Sequence, residues 1–254
     1  MPHRVTLPSG LAGTVRGFKA KEASLLADAK TVKDGTGLEQ VTAACWLATE
    51  DAGPYKLTPQ GSPPWDEVLV GDRMVALVEI RIATYGSAYA FKTQCQGDSC
   101  GRLFDWALDL RKDVTLKPYP AATLEALAAG KTTLPLRLPD GRAAQVRLMR
   151  GVDERAVAAL RKKYKQQKGE PPAVSFALHM RVTEVEGIDG NDKLAYFDDM
   201  DMGAVRDVLI ALDAVDGGID TDVEVRCGEC GAYQTIQLPF GREFFMPPMK
   251  KPVS

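Results

Sequence analysis

Four cysteines in two short pairs, Cys95/Cys100 and Cys227/Cys230, constrain this chain more than any other feature. Each pair is followed at once by a glycine, Gly101 or Gly231, and each lies between segments that alternate like β-strands. Thiolates two to four residues apart on a tight turn offer two sulfurs to one side of a tetrahedral metal ion. A glycine after the second sulfur lets the chain curl so that backbone N–H groups can point at the thiolates. The pattern predicts a zinc-ribbon-like site with Cys95, Cys100, Cys227 and Cys230 as ligands of a structural Zn2+ ion, split between two distant parts of the chain. A disulfide within each pair, or four unligated thiols, are the alternatives. Cys45, beside Trp46 in an apolar stretch, reads as a buried thiol.

Composition narrows the choice. With 254 residues, 45% hydrophobic and 26% charged, the chain is long enough for a sizeable core and for one or two domains. A formal charge of -2 gives no bulk attraction to nucleic acid or acidic membranes. The most apolar window, Met74 to Ala83, is interrupted by Glu79 and Arg81, so no membrane span is expected. The first residues, Met1-Pro2-His3-Arg4, lack the apolar region of a signal peptide. Without secretion, paired cysteines favour metal over disulfides.

The two halves of the sequence run in parallel. Leu7-Pro-Ser-Gly10 followed by Thr14-Val15-Arg16 recurs as Leu138-Pro-Asp-Gly141 followed by Gln145-Val146-Arg147, 131 residues later. Gly71 and Gly203, like Cys95 and Cys227, lie 132 residues apart. The order hairpin, helices, cysteine turn, strand therefore occurs twice. The expected fold is α+β, with duplicated halves over residues 1–118 and 131–248 and a flexible tail at 249–254. Two thiolates per half do not complete a tetrahedral site, so one ion shared between the halves would complete it.

Local patterns supply the elements. Arg4 to Leu7 and Thr14 to Phe18 read as a hairpin, Glu22 to Lys30 as a helix, and Leu38 to Ala48 as a second helix. Gly53 to Pro64 reads as a surface loop, and Asp72 as the N-cap of a buried helix ending at Tyr85-Gly86. Tyr89 to Cys95 and Leu103 to Leu110 flank the first cysteine turn as strands, as do Val223 to Cys227 and Thr235 to Phe240 the second. Between them come a hairpin of Leu134 to Leu138 with Ala144 to Met149, a helix from Asp153 to Tyr164, and a polar linker from Gln166 to Pro172. Val174 to Val185 fits either helix or strand, with helix favoured. Asp201 is expected to cap a helix that closes at Asp216-Gly217-Gly218.

Catalytic patterns are missing. His3 and His179 accompany no nucleophile motif, and there is no phosphate-binding loop, H-E-x-x-H or G-x-S-x-G. Asp198, Asp199 and Asp201 suit a helix start better than a cation site. Arg161, Lys162, Lys163, Lys165 and Lys168 suit a solvated helix end better than a phosphate site. Near the cysteine turns, Lys92, Arg102 and Arg226 are offset by Asp98, Asp105, Asp109, Glu224 and Glu229, which argues against nucleic acid as a partner.

Taken in order, these residues resemble the T-even-type baseplate hub assembly proteins of contractile-tailed bacteriophages. Leu7-Pro-Ser-Gly10, Val15-Arg-Gly-Phe-Lys-Ala-Lys-Glu22, Val70-Gly-Asp-Arg73, Ile80-Arg-Ile-Ala-Thr-Tyr-Gly86, the two cysteine pairs, Leu238-Pro-Phe240 and Phe244-Phe245 carry the resemblance across nearly the whole chain. The four-residue spacer of the first cysteine turn and the insert at Gly53 to Pro64 depart from it. The resemblance implies a non-enzymatic component or assembly factor of the baseplate hub. It would act in the infected host's cytoplasm, with the virion tail baseplate as a further location and hub or tail-tube proteins as partners. Phe244 and Phe245 are then expected to be partner-binding anchors, unless both rings fold back onto the protein's own core. The competing reading is a zinc-ribbon nucleic-acid-binding or regulatory protein.

Overall fold

The computed structural model describes residues 2–27, 36–97, 99–240 and 242–247. The end of the first expected helix at 28–30, Asp98 and the tail at 249–254 lie outside the described residues. In chain order the described elements begin with β1 (His3–Thr6), β2 (Ala12–Val15), α1 (Ala20–Ala27), α2 (Gly37–Cys45) and β3 (Trp46–Asp51). A long helix, α3 (Val70–Tyr85), leads into β4 (Ala88–Gln94) and β5 (Leu103–Asp109), then β6 (Leu116–Lys117) and α4 (Ala121–Ala128). The later part holds β7 (Thr133–Arg137), β8 (Ala143–Arg147), α5 (Gly151–Lys168), α6 (Ala173–Arg181), β9 (Val182–Val185) and α7 (Lys193–Asp198). It closes with α8 (Met202–Val215), β10 (Gly218–Ile219), β11 (Asp222–Arg226), β12 (Tyr233–Gln237) and α9 (Arg242–Phe245).

Among the described residues these strands form five small antiparallel sheets, so the α+β class holds. Two are three-stranded, ordered β1-β2-β3 and β7-β8-β9. Their hairpin turns close alike. Leu7 N–H donates to Leu11 O and Gly10 N–H to Leu7 O, while Leu138 N–H donates to Arg142 O and Gly141 N–H to Leu138 O. In both sheets the pairing to the third strand slips, between Thr14 and Val15 in the first, which slips again between Ala12 and Gly13, and between Gln145 and Val146 in the second.

An arginine leaving each second strand meets a buried carboxylate at the next helix. Arg16 pairs with Glu22 at 2.9 Å, and Arg147 with Asp153 at 2.8 Å. The same carboxylates accept N–H bonds from Lys19 and Arg150, so each helix start is fixed by one buried acid with a charged and a backbone partner.

Most of the apolar core gathers around α3. Val75, Ala76, Leu77, Val78, Ile80 and Ile82 are buried there with Val5, Val15, Val41 and Trp46 from the first sheet and its helices. The same cluster takes in Val223, Val225, Leu238 and Phe244 from the far end of the chain. A second cluster joins Leu138, Val146, Val182 and Leu178 to Phe197, Val205, Val208 and Leu212.

Several local expectations change, among them the linker expected from Gln166, which is helical as far as Lys168. Asp72 is not an N-cap; Leu69 holds that position, and Asp72 is buried inside the first turn. Its carboxylate accepts from Ser9 N–H at 3.1 Å and Tyr55 Oη at 2.6 Å, tying the first hairpin turn and the surface loop to α3. Val174 to Val185 is helix only as far as Arg181 and then becomes β9, because Val182 and Val185 are needed as the inner face of the second sheet. Likewise Trp46 to Ala48 belong to β3 rather than to α2. Asp201 does occupy the N-cap of α8, without a side-chain capping hydrogen bond.

Candidate metal centre

Two β-hairpins carry the cysteine turns. Strands β4 and β5 pair from Ala88↔Asp109 to Gln94↔Leu103, and β11 and β12 from Asp222↔Gln237 to Arg226↔Tyr233. Alternation sends Tyr89, Phe91, Val223 and Val225 into the core, which fixes the orientation of both hairpins. At the tips, Cys95 N–H donates to Arg102 O at 2.8 Å and Cys227 N–H to Ala232 O at 2.9 Å. Each turn then reverses through its glycine, Gly101 at φ 57° and Gly231 at φ 74°, a left-handed conformation that a side chain would resist.

The two tips meet. Cys95 Sγ lies 3.5 Å from Cys230 Sγ, and Cys100 Sγ lies 3.9 Å from Cys227 Sγ. All four sulfurs fall within 4.8 Å of one another. A tetrahedral ion with Zn–S bonds of about 2.3 Å sets its sulfurs about 3.8 Å apart, so the cluster can hold one metal ion with modest adjustment. All four are free thiols. Both close contacts join one hairpin to the other, so an ion here would cross-link segments that are distant in sequence. Cys95 and Cys227 are buried, Cys100 is half-buried and Cys230 is exposed.

Electrostatics favour a bound cation. Backbone N–H groups of Cys230 and Glu229 point at Cys227 and draw its thiol down to about 7. For Cys95, the N–H of Gly97, 3.4 Å from its sulfur, favours the thiolate, but burial and the three neighbouring thiols outweigh it and push the group up to about 12. Cys100 likewise receives a backbone hydrogen bond at Arg102, yet burial and Cys230 carry it upward. Four thiols this close cannot all ionise beside one another unless a positive ion compensates them.

One residue at the site carried no warning in the sequence. Gln234 on β12 donates through Nε2 to Gln94 O at 2.8 Å and accepts the N–H of Gln96 through Oε1 at 2.7 Å. Its amide therefore clasps the chain on both sides of Cys95. A polar residue at an ordinary strand position has no sequence signature for that role. Arg102 and Glu229 add an ion pair at 3.2 Å across the tips, exposed on both sides and so of little energetic weight.

The other expected site residues lie elsewhere. Phe244 and Phe245, anticipated as partner anchors, are both buried. The Phe244 ring meets Tyr89, Phe240 and Phe245 edge-on at about 5 Å, and the Arg81 guanidinium lies over it at 5.4 Å. That packing is the correction: in this conformation neither ring is open to a partner. His3 is hydrogen-bonded to Glu79 at 2.7 Å, and burial lowers the basicity of His179. Cys45 is a buried thiol pushed up to about 11 by burial.

No helix among the described residues is long and apolar enough to cross a membrane. No protein-family model, curated protein or solved structure matches this chain.

Proposed function

We propose that this chain is a non-enzymatic structural component or assembly factor of the baseplate hub of a contractile phage tail, clamped by a structural Zn2+ ion on Cys95, Cys100, Cys227 and Cys230. One observation carries the metal part of the reading. Four thiols from two distant hairpins converge to within 4.8 Å with no other ligand type between them. An all-sulfur set selects zinc over hard cations, and four sulfurs close the coordination sphere, leaving no position for a substrate.

The baseplate part rests on the ordered motifs from Leu7-Pro-Ser-Gly10 to Phe244-Phe245. An internal duplication accompanies it. It is supported by the matched hairpin turns, by ion pairs Arg16–Glu22 and Arg147–Asp153 at one spacing, and by sheet slips at equivalent positions. The charges near the tips support a protein partner over nucleic acid. Lys92 sits opposite Asp105 on the paired strand, and Arg102 is matched by Glu229.

Co-expression with the hub and tail-tube proteins of the same tail, followed by affinity purification and elemental analysis, tests both parts. The expected result is about one zinc per chain and co-elution with a hub or tube protein. Protein purified under reducing conditions without zinc would reject the clamp. Failure to co-elute with any tail protein would reject the baseplate role.

A further inference from the structure

Helices α3 and α8 begin at corresponding places, after Leu69 at φ −57°, ψ 142° and after Asp201 at φ −55°, ψ 140°. Their surroundings differ. On α3, Leu77, Val78 and Arg81 are 4%, 5% and 3% exposed, in the core that holds the two cysteine hairpins and the Phe244 ring. The residues 132 positions later are Leu209, Ile210 and Asp213. Leu209 and Ile210 are 44% and 56% exposed, and Met202, one face-length earlier on the same helix, is 71% exposed. At 3.6 residues per turn, Met202, Arg206, Leu209, Ile210 and Asp213 share one side of α8. The neighbouring side, with Val205, Val208 and Leu212, is packed into the second core. An apolar strip that is covered on one helix is therefore bare on its counterpart.

We infer that the Met202–Leu209–Ile210 face of α8 is a docking surface for a basic, aromatic-bearing segment of another protein. The inference rests on the duplication and baseplate reading above. The charge around the strip selects the occupant. Asp199, Asp201 and Asp207 are exposed at its start and flank. Asp213 is already answered by Lys117 at 2.6 Å. Arg206 is the one cation of the helix, and it has no ion-pair partner among the described residues. A second copy docking symmetrically would bring these carboxylates against their own copies, and an anionic membrane would be repelled by them. A partner with lysine or arginine beside an aromatic side chain matches both the rim and the strip. The covering of α3 shows that aromatic rings fit such a strip, since Tyr89 and Phe244 there lie against the helix's own Arg81 at 5.2 and 5.4 Å. Aromatic and arginine side chains are also the usual anchors of protein interfaces.

The test uses the full-length chain with its metal and each purified hub and tail-tube protein of the same tail, titrated by calorimetry at low and at raised salt. Leu209→Glu with Ile210→Glu should weaken the interaction at least tenfold. Asp201→Lys with Asp207→Lys should weaken it and flatten its salt dependence. Because all four side chains are exposed, thermal midpoints should stay close to that of the unaltered protein; Ile210→Ser provides a milder probe should the double variant be unstable. Leu160→Glu, an exposed leucine on α5, should bind normally. If every α8 variant binds like the unaltered protein, the docking surface is wrong while the baseplate role survives. If the unaltered protein binds no tail protein, both fall. A self-associated dimer that Leu209→Glu with Ile210→Glu splits would make a second copy the occupant and overturn the inference.

Discussion

Glu22 shows how much of this molecule turns on single side chains. It is buried, yet it is charged, because Arg16 at 2.9 Å and the N–H of Lys19 at 2.7 Å stabilise the carboxylate. Hydrogen bonding from Arg16, against the cost of burial, holds it down to about 2. An unfolded glutamate titrates near ~4.3, so this acid contributes about 3 kcal/mol of stability wherever it is ionised in both states. The folded group binds its proton less readily than the unfolded one. The contribution is therefore complete above the unfolded value and fades as pH falls toward about 2. Glu22→Gln should cost about 3 kcal/mol in urea denaturation at pH 7, with the difference from the unaltered protein shrinking steadily as pH falls through that window. A cost independent of pH would mean that lost packing, not charge, is responsible. Gln234 would act at the same scale on a metal bound by the four cysteines. Without its two hydrogen bonds around Cys95, Gln234→Ala should weaken zinc about tenfold in a chelator competition, as removal of supporting groups around metal ligands commonly does. The four cysteines were legible in the sequence because their chemistry is tied to their spacing. Gln234 was not, because its role depends on which hairpin lies opposite.

Among the elements, the strands around the cysteines were readable because alternation and turn glycines report directly on a half-buried hairpin. The helix-to-strand changes at Cys45–Trp46 and Arg181–Val182 were hidden. In both places a helix passes into a strand without a breaker residue, and only pairing with the sheet's middle strand decides the switch. The place of Phe244 and Phe245, open between partner anchor and core in the sequence, was undecidable there for a related reason. Two adjacent phenylalanines in a Pro-rich tail can serve as an exposed anchor or as core until Tyr89 and Arg81 are seen against Phe244. Phe244→Ala should now lower the thermal midpoint on the order of 10 °C, since emptying a buried phenylalanine site costs about 3–5 kcal/mol. Differential scanning calorimetry of the single variant decides the matter. An unchanged midpoint would return the ring to the surface.

At the scale of the whole molecule, the duplication proposed above would not make two independent folding units. The main core draws on Val5 and Val15 near one end and on Val223, Leu238 and Phe244 near the other, while the metal site needs two thiols from each half. A fragment of residues 1–130 would keep α3 but lose the second hairpin that covers part of it, together with Cys227 and Cys230. Structural zinc contributes on the order of 10–16 kcal/mol in small peptides, comparable to the whole net stability of a domain at about 5–15 kcal/mol. Neither fragment alone can assemble that site. The expectation is that residues 1–130 show no cooperative thermal transition alone. Mixing them with residues 131–254 should restore one when zinc is present, and a strong chelator should abolish it again. Calorimetry of the two fragments, separate and combined, measures this directly. A sharp transition in the first fragment by itself would show that its core closes without the second hairpin, and would reduce the sulfur cluster from a clamp to a local fastening.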